Sequence, residues 1–171
     1  GAAPELLDKT VALINNFKNY FTSHNQTIFE NPSPGNKKGG ISTLEDKSLG
    51  CTQKSGSSLV KGVLEYAEPV KVKGLNLLSA PGNALVAATA LAVSGAHMVL
   101  FTTGRGTPFA SPVPTVKISS NSKLAGHKSN WIDFNAGQMV EDKTKEELAQ
   151  DLLNYVLEVA SGRKVKSEAA G

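Results

Sequence analysis

Residues 75–102 read LNLLSAPGNALVAATALAVSGAHMVLFT, which is the order strand, helix, strand. The first apolar run, 75–78, is followed by Asn83, a residue type that caps helices, and the helix then runs to Ser94 before a glycine stops it. The second apolar run, 97–102, returns to strand character. Because the intervening helix is Leu, Val and Ala nearly all round, we expect it to be buried.

The same alternation continues towards the end of the sequence. Short apolar runs at 115–118 and 131–134 predict two more strands. Thr144 and Glu147 have capping-box spacing ahead of a final helix over 145–160. Apolar strands separated by helices are typical of a mostly parallel sheet that is covered on both faces. We therefore predict a three-layer α/β fold, with a mostly parallel, Rossmann-like sheet and helices on both faces.

The first third of the sequence has a different character. Apolar residues recur at helical spacing in 1–21, which we interpret as a docking helix on a core. Residues 22–54 are rich in Gly, Pro, Ser, Asn and Lys, and we predict a long polar loop of the kind that covers active sites. Residues 57–68 fit a second helix. On this interpretation 55–171 is the α/β core and 1–171 is a single domain.

Composition excludes several functional classes. The sequence has 171 residues with 18 Lys and Arg against 15 Asp and Glu, and a net charge of +3 is too weak and scattered for a nucleic-acid surface. No apolar run approaches the roughly 18 residues that a membrane span requires. A single cysteine, Cys51, suits a reducing compartment, so we expect a cytoplasmic protein. The termini, Gly-Ala-Ala and Glu-Ala-Ala-Gly, indicate a piece of a longer protein.

The ends of the predicted strands carry a candidate binding site. In an open α/β sheet, ligands bind beyond the carboxyl ends of the strands. Polar residues that stand there beside glycines or small residues are Asn83, Thr103, Arg105 and Asn121. Arg105 is the only arginine before residue 163, and its planar fork matches a carboxylate or a phosphate. We therefore expect a small, oxygen-rich anion at this edge.

Three other kinds of site are disfavoured. Gly104 and Gly106 do not make a dinucleotide fingerprint, because the third glycine is missing and a proline follows closely. No glycine-rich segment has the spacing of a phosphate-binding P-loop. The three histidines lie too far apart for a metal motif that the sequence alone would reveal; they are His24, His97 and His127.

Five linked motifs give the sequence a specific resemblance. They begin with NPSPGNKKGGISTLEDKSLGC at 31–51 and continue with GLNLLSAPGN at 74–83, LFTTGRGTP at 100–108, VPTVKISSN at 113–121 and WIDFNAG at 131–137. In this order they resemble the C-terminal portion of the altronate dehydratase/galactarate dehydratase family, and they are closer to its altronate dehydratases. The resemblance extends to the final helix.

The resemblance implies a function. Members of this family are cytoplasmic dehydratases of sugar-acid catabolism, which remove water from a hexonate or hexarate and leave a 2-keto-3-deoxy product. They need a divalent metal, usually iron (Fe2+), and most of its ligands are expected in a central region that this sequence lacks. The chain alone is therefore expected to be inactive. Its expected partners are a small-molecule sugar acid and the remaining domains of the longer enzyme, and a homo-oligomer is one option for its assembly.

The chemistry of such a dehydration gives roles to residues in these motifs. A base removes the proton α to the carboxylate, the resulting enediolate needs cationic donors, and an acid helps the β-hydroxyl to leave. We assign Lys47 as an acid or base and Glu45 as a proton carrier or metal-shell residue, while the metal ligands stay unassigned. Arg105 would hold the substrate carboxylate. The predicted substrate-binding residues are Asn36, Lys37, Asn83, Thr103, Arg105 and Asn121.

Two alternatives stay open at this point. The longer enzyme could act on galactarate rather than altronate, because the choice of sugar acid depends on hydroxyl stereochemistry that several domains read together. The chain could also be a non-catalytic α/β domain for binding or assembly, with the substrate site carried elsewhere in the longer enzyme. A nucleotide-binding Rossmann domain is disfavoured by the incomplete glycine pattern.

Overall fold

The computed structural model describes residues 1–28 and 31–170. Contacts between residues divide the chain into two compact units. The first unit comprises Gly1–Tyr66 and Val70–Ser79. The second unit comprises Ala67–Pro69 and the chain from Ala80 onward. Each unit contains its own parallel sheet.

The first unit combines helices with a two-stranded parallel sheet. Its elements are α1 (Pro4–Ser23), α2 (Pro34–Lys38), α3 (Leu44–Lys54), β1 (Val60–Leu64) and β2 (Leu75–Leu78). The pairing places Val60 opposite Leu75 and Leu64 opposite Leu78. On its other side, Val60 donates its backbone N–H to the carbonyl of Gly1 at 2.8 Å, so the chain start extends the sheet next to α1.

Strand β1 occupies the segment 57–68 for which the apolar spacing predicted a helix, so that prediction was wrong. A few apolar residues at helical spacing do not exclude a strand, and Val60 and Val63 are β-branched residues that suit one. Glycine at position 62 is required by the partner strand, because a Cβ on Gly62 would meet Asn76 Oδ1 at 2.1 Å. This close approach between β1 and β2 is a tertiary feature that periodicity does not reveal.

The segment 22–54, predicted as a long polar loop, contains the helices α2 and α3 instead. Ser33 caps α2 by accepting from the Asn36 N–H at 3.4 Å. Thr43 caps α3 by accepting from the Asp46 N–H at 3.2 Å. Neither helix has a buried residue, so local caps rather than an apolar face define them. A search for apolar periodicity therefore misses both helices.

The predicted N-terminal helix is confirmed as α1, but its apolar side chains are poorly covered. Leu7, Val11 and Ile14 are 55%, 49% and 53% exposed, and no residue of α1 is buried. The helix contacts β1 of the same unit. A docking role for this helix stays a prediction.

The second unit holds a three-stranded parallel sheet in the order β3-β4-β5. Its strands are β3 (Val99–Thr103), β4 (Thr115–Ser119) and β5 (Phe134–Asn135). Its helices are α4 (Ala84–Val93), α5 (Ser122–His127), a 3-10 helix (Ala136–Val140), α6 (Lys145–Ala160) and α7 (Lys166–Ala169). All five residues of β4 are buried, so this strand is the centre of the unit. The final helix α6 and its capping box of Thr144 and Glu147 agree with the prediction.

The core of the second unit forms between β4, α6 and the chain ahead of α7. Val116 and Ile118 of β4 pack with Val159 of α6 and with Val165, which is fully buried. Met98, Phe134, Ala136, Leu152 and Tyr155 pack against this cluster. The C-terminal segment is therefore part of the core of this unit.

One carboxylate joins three elements of this core. Asp133 Oδ2 accepts from the backbone N–H of Lys117 at 2.8 Å. Asp133 Oδ1 accepts from the backbone N–H of Lys166 at 2.8 Å and from the hydroxyl of Tyr155 at 3.2 Å. Burial, and after it the charge of Asp133, raises the pKa of Tyr155 to about 12. Asp133 thus connects β4, α6 and α7.

An α/β architecture of parallel strands and helices agrees with the prediction, but the single sheet does not. The apolar run 75–78 pairs with β1 in the first unit, whereas β3, β4 and β5 form a separate sheet in the second. The Rossmann-like order of strands is therefore not confirmed. Apolar runs identify strands, but they carry no information on which strand pairs with which.

Helix α4 begins after its predicted cap, Asn83, but the prediction that it is buried was wrong. Leu85 and Val93 are 53% and 61% exposed, and within the helix Ala88 and Ala90 alone are buried. A helix on a three-stranded sheet buries the side that faces the strands, whatever the composition of its other sides. Among the described residues, no helix combines the length and the apolar character that crossing a bilayer requires.

Candidate functional site

The carboxyl ends of β3 and β4 meet at one edge of the second unit. The two strands are parallel, and their register places Thr103 directly opposite Ser119. Beyond this pair, the backbone N–H of Ser120 donates to the carbonyl of Thr103 at 3.0 Å. The side-chain amide of Asn121 donates to the carbonyl of Gly104 at 3.0 Å. The structure therefore brings Thr103, Asn121 and the loop that carries Arg105 together, as expected for parallel strands.

Two of the predicted binding residues at this edge shape the loop. Thr103 Oγ1 accepts from the backbone N–H of Gly106 at 3.0 Å, across a turn in which Gly106 has φ +85°. Asn121 Oδ1 accepts from the backbone N–H of Leu124 at 2.9 Å and thereby caps α5. The Thr103–Gly106 bond and the Asn121–Gly104 bond fix the backbone on both sides of Arg105. In the described part of the chain, no hydrogen bond or ion pair engages the exposed Arg105 guanidinium, so it is open to an anion.

A hydrogen-bond chain extends this edge to β5. Asn135 Nδ2 donates to Ser122 Oγ at 2.8 Å, and Ser122 Oγ donates to Glu141 Oε2 at 2.7 Å. Asn135 Oδ1 accepts from the backbone N–H of Gly137 at 2.9 Å. A Cβ on Gly137 would meet the Ser122 backbone nitrogen at 2.3 Å, so the loop after β5 packs directly on the start of α5. The motif ending in Gly137 signalled this loop, but nothing in the sequence paired it with Ser122.

Asn83 has a different position and task. Its Oδ1 accepts from the backbone N–H groups of Leu85 and Val86 at 3.1 and 3.3 Å, which makes it the N-cap of α4. Within the described residues, no hydrogen bond joins Asn83 to the edge that carries Arg105. Its predicted contact with a substrate hydroxyl stays a prediction.

The remaining candidates lie in the first unit, around the half-buried Lys47. Lys47 Nζ donates to Asn31 Oδ1 at 2.7 Å and to Asn36 Oδ1 at 3.3 Å. Asn36 Oδ1 also accepts from the hydroxyl of Ser33 at 2.9 Å. An ammonium group has three protons to donate, so two amide acceptors orient Lys47 and leave one proton for a ligand. The structure thus joins the predicted residues Lys47 and Asn36.

Lys37 and Glu45 are exposed on the helices α2 and α3 of the same unit. Their side chains make no hydrogen bond or ion pair within the described ranges. Lys37, Glu45, Asn36 and Lys47 therefore belong to the first unit, whereas the predicted residues around Arg105 belong to the second. The site roles of all these residues stay predictions.

The described residues do not fit a metal centre by themselves. Across residues 1–28 and 31–170, no group of three or more His, Cys, Asp or Glu side chains is placed to hold a metal ion. Glu45 is exposed on α3. Cys51 is a free, exposed thiol.

Comparison with known proteins defines the class. A family model described as "D-galactarate/Altronate dehydratase, C-terminal" matches residues 2–171, and the chain belongs to this family. The resemblance predicted from the five linked motifs is therefore confirmed.

Individual relatives refine this assignment. The chain is 58% identical over 161 residues to the altronate dehydratase of Escherichia coli (strain K12) and 59% identical over 168 residues to that of Bacillus subtilis (strain 168). These matches cover 94% and 98% of the chain but 32% and 34% of the relatives, so the chain spans about a third of their length. The galactarate dehydratase (L-threo-forming) of Escherichia coli (strain K12) is more distant, at 37% identity over 150 residues, or 86% of this chain and 29% of that protein.

Proposed function

We propose that this chain is the C-terminal domain of a hydro-lyase that dehydrates a hexonate sugar acid, altronate, to a 2-keto-3-deoxy sugar acid. The observation that carries the proposal is the identity of 58–59% with two altronate dehydratases over nearly the whole chain. The activity belongs to the longer protein, of which this chain would supply part of the substrate-binding surface.

Arg105 is the proposed anchor for the substrate carboxylate. Its guanidinium is exposed, and the loop that carries it is held by Thr103 and Asn121. Removal of the proton α to a carboxylate builds a second negative charge on the carboxylate oxygens. A guanidinium fork binds those two oxygens with two parallel hydrogen bonds, which strengthen as the charge develops. The fixed loop would keep this contact in place without reorganisation.

Lys47 is the proposed acid for the leaving hydroxyl, or a cation that neutralises the enediolate. Its contacts with Asn31 and Asn36 orient the ammonium group and leave it one free proton. When the β-hydroxyl leaves as water it takes up one proton, and the enol left behind becomes the 2-keto-3-deoxy acid by protonation at C3. Glu45 would carry protons, and Asn36 and Lys37 would contact substrate oxygens.

The proposal also includes a requirement for a divalent metal, with iron as the first candidate. This requirement is supported by the family resemblance alone, and the ligands would come mostly from outside this chain. The proposal also includes a cytoplasmic location and a homo-oligomeric assembly.

A chimeric enzyme tests the function directly. Residues 2–171 replace the matching C-terminal third of the Bacillus subtilis altronate dehydratase, and formation of 2-keto-3-deoxy acid is measured with altronate and with galactarate. We expect kcat/KM to favour altronate by at least about tenfold, which corresponds to about 1.4 kcal/mol of transition-state discrimination. The unaltered Bacillus subtilis enzyme is the control, and thermal unfolding checks that the chimera is folded.

Galactarate is the second candidate substrate, because its dehydratase is 37% identical to this chain. Galactarate carries two carboxylates and altronate carries one, so galactarate needs a second cationic partner. The edge built by β3 and β4 presents one guanidinium, Arg105, so the second partner would come from another part of the longer protein. A chimera that prefers galactarate would support the second candidate. A folded chimera without turnover on either acid would support a domain for binding or assembly.

A further inference from the structure

A cavity of about 250 Å3 lies in the second unit, and none of the predicted site residues lines it. Its walls come from the segment after β3, from β4, from the turn ahead of β5 and from α7. The residues that matter for its chemistry are Phe109, Lys117, Asn130, Trp131, Lys166 and Ser167. Drug-sized ligands occupy roughly 300–1,000 Å3, so this cavity suits a smaller molecule.

Lys117 supplies a buried cation to this cavity. It belongs to the central strand β4 and is 5% exposed. Its Nζ lies 5.9 Å from the ring centre of Phe109 and 5.8 Å from that of Trp131. In the described part of the chain, Nζ makes no hydrogen bond or ion pair. Burial lowers the pKa of Lys117, and the charge of Asp133 opposes this shift only in part.

The carboxylate oxygens of Asp133, whose charge acts on Lys117, already accept hydrogen bonds from other groups. The oxygens of Asp133 accept from the Lys117 and Lys166 backbone N–H groups and from Tyr155. Keeping a cation buried without a bound counter-ion is costly, and an anion that enters the cavity would remove that cost. The placement of Lys117 therefore disfavours folding and favours anion binding.

Ser167 supplies a second unused polar group. Its Oγ is buried and, among residues 1–28 and 31–170, has no hydrogen-bond partner. The neighbouring Lys166 ammonium donates to the carbonyls of Ser129 and Ile132 at 2.5 Å each, which leaves it one proton and its positive charge. Within the described residues, the cavity thus offers a ligand one unpaired ammonium, that of Lys117, and one unpaired hydroxyl, that of Ser167.

The other walls are apolar and held in place. Phe109 stacks edge to face on Phe101, with ring centres 4.8 Å apart. The Lys128 ammonium lies over the ring of Trp131, 4.5 Å from the ring centre. Rings fixed in this way accept a carbon skeleton but offer few partners to a chain of hydroxyl groups.

We propose that this cavity binds a small organic acid, with the carboxylate on Lys117 and Ser167 and the carbon body between Phe109 and Trp131. A carboxylate fits better than a phosphate, because among the described residues no guanidinium group lines the cavity to bind a more highly charged group with paired N–H donors. The ligand has few hydroxyl groups, so it differs from a sugar acid. This inference does not depend on the proposed dehydration.

Trp131 is the single tryptophan of the sequence, so its fluorescence reports on the cavity. The intact chain is titrated with isobutyrate, with the neutral isostere isobutyramide and with inorganic phosphate. We expect saturable binding of isobutyrate, at least about tenfold weaker binding of the amide, and no competition by phosphate. Lys117→Met should weaken isobutyrate binding at least about tenfold, and Ser167→Ala should weaken it by about threefold.

Lys145→Met is the matched control, because it makes the same substitution at an exposed lysine of α6 that does not line the cavity. This variant should bind isobutyrate like the unaltered chain. The acid–amide comparison uses the unaltered chain, so it decides the question even where a variant fails to fold. Absence of a saturable response to isobutyrate, equal affinity for acid and amide, or displacement of isobutyrate by phosphate would each overturn the proposal.

Discussion

Replacing Asp133 by alanine removes the carboxylate that joins three elements of the second unit. The substitution deletes three hydrogen-bond acceptor contacts, to the Lys117 and Lys166 backbone N–H groups at 2.8 Å and to the Tyr155 hydroxyl at 3.2 Å. Both N–H groups then lose a charged partner. We expect the variant to be less stable, with α7 loosened first because Lys166 opens that helix.

The size of the effect follows from these contacts. A hydrogen bond to a charged group contributes about 1.5–3 kcal/mol, and three bonds that share one acceptor are not additive, so we expect a loss of about 3 kcal/mol. For a domain of about 60–100 residues, a loss of that size lowers the unfolding midpoint by roughly 12–24 °C. Circular dichroism and Trp131 fluorescence would follow the unfolding.

Two further measurements separate the carboxylate from general disruption. Asp133→Asn keeps one acceptor oxygen at this position, so it should lower the free energy of unfolding less than Asp133→Ala does. Removing the Asp133 charge should also lower the pKa of Tyr155 from about 12, although burial, the larger cause, keeps it above its ordinary value of 10.0. An absorbance titration of tyrosinate measures this shift.

A double-mutant cycle decides whether the reasoning holds. Tyr155→Phe removes one of the three contacts, so its cost should almost vanish in the Asp133→Ala background. The reasoning is refuted if Asp133→Ala costs less than about 1 kcal/mol, or if the two substitutions add without coupling.

Three other outcomes follow from the structure. Gly137→Ala should destabilise the second unit by about 1–3 kcal/mol in urea unfolding, because its Cβ would lie 2.3 Å from the backbone nitrogen of Ser122; an unchanged midpoint would contradict this packing. Lys117→Met should raise the thermal unfolding midpoint at neutral pH, because it removes a buried charge. Since burial lowers the pKa of Lys117, the difference between the two midpoints should shrink as the pH rises towards 10.5. A difference that grows with pH would contradict this direction of the pKa shift. In the chimeric altronate dehydratase, Arg105→Ala and Lys47→Met should each lower kcat/KM by at least about tenfold, and unchanged kinetics in a folded variant would remove that residue from the site.

Local signals predicted several elements of the fold. The final helix was predicted from Thr144 and Glu147, whose reciprocal capping bonds are present, and Asn83 marked the start of α4. Strand β1 was missed, because its signal is not local. The need for glycine at position 62 comes from the Asn76 side chain on β2, more than ten residues further along the chain. Capping acts within one turn of a helix, whereas strand pairing joins distant segments, and a sequence pattern reports the first much better than the second.

The candidate site shows the same division. Strand-end reasoning predicted Thr103, Arg105 and Asn121 at one edge, and the parallel register of β3 and β4 brings them together. The hydrogen bonds by which Thr103 and Asn121 hold the loop were not predictable, because they depend on backbone positions in the folded loop. Lys117 was also missed, since a lysine in an apolar strand is read as a solvent-facing residue until the cover from the C-terminal segment is known.

The cross-bracing of the three strand-end loops has a consequence for redesign. Asn121 holds the loop beside Gly104, Asn135 holds Ser122, and Gly137 packs on the start of α5. A graft of any single loop from a homologue would break bonds that its neighbours supply. Attempts to exchange substrate preference between homologues should therefore move these loops and α5 as one cassette.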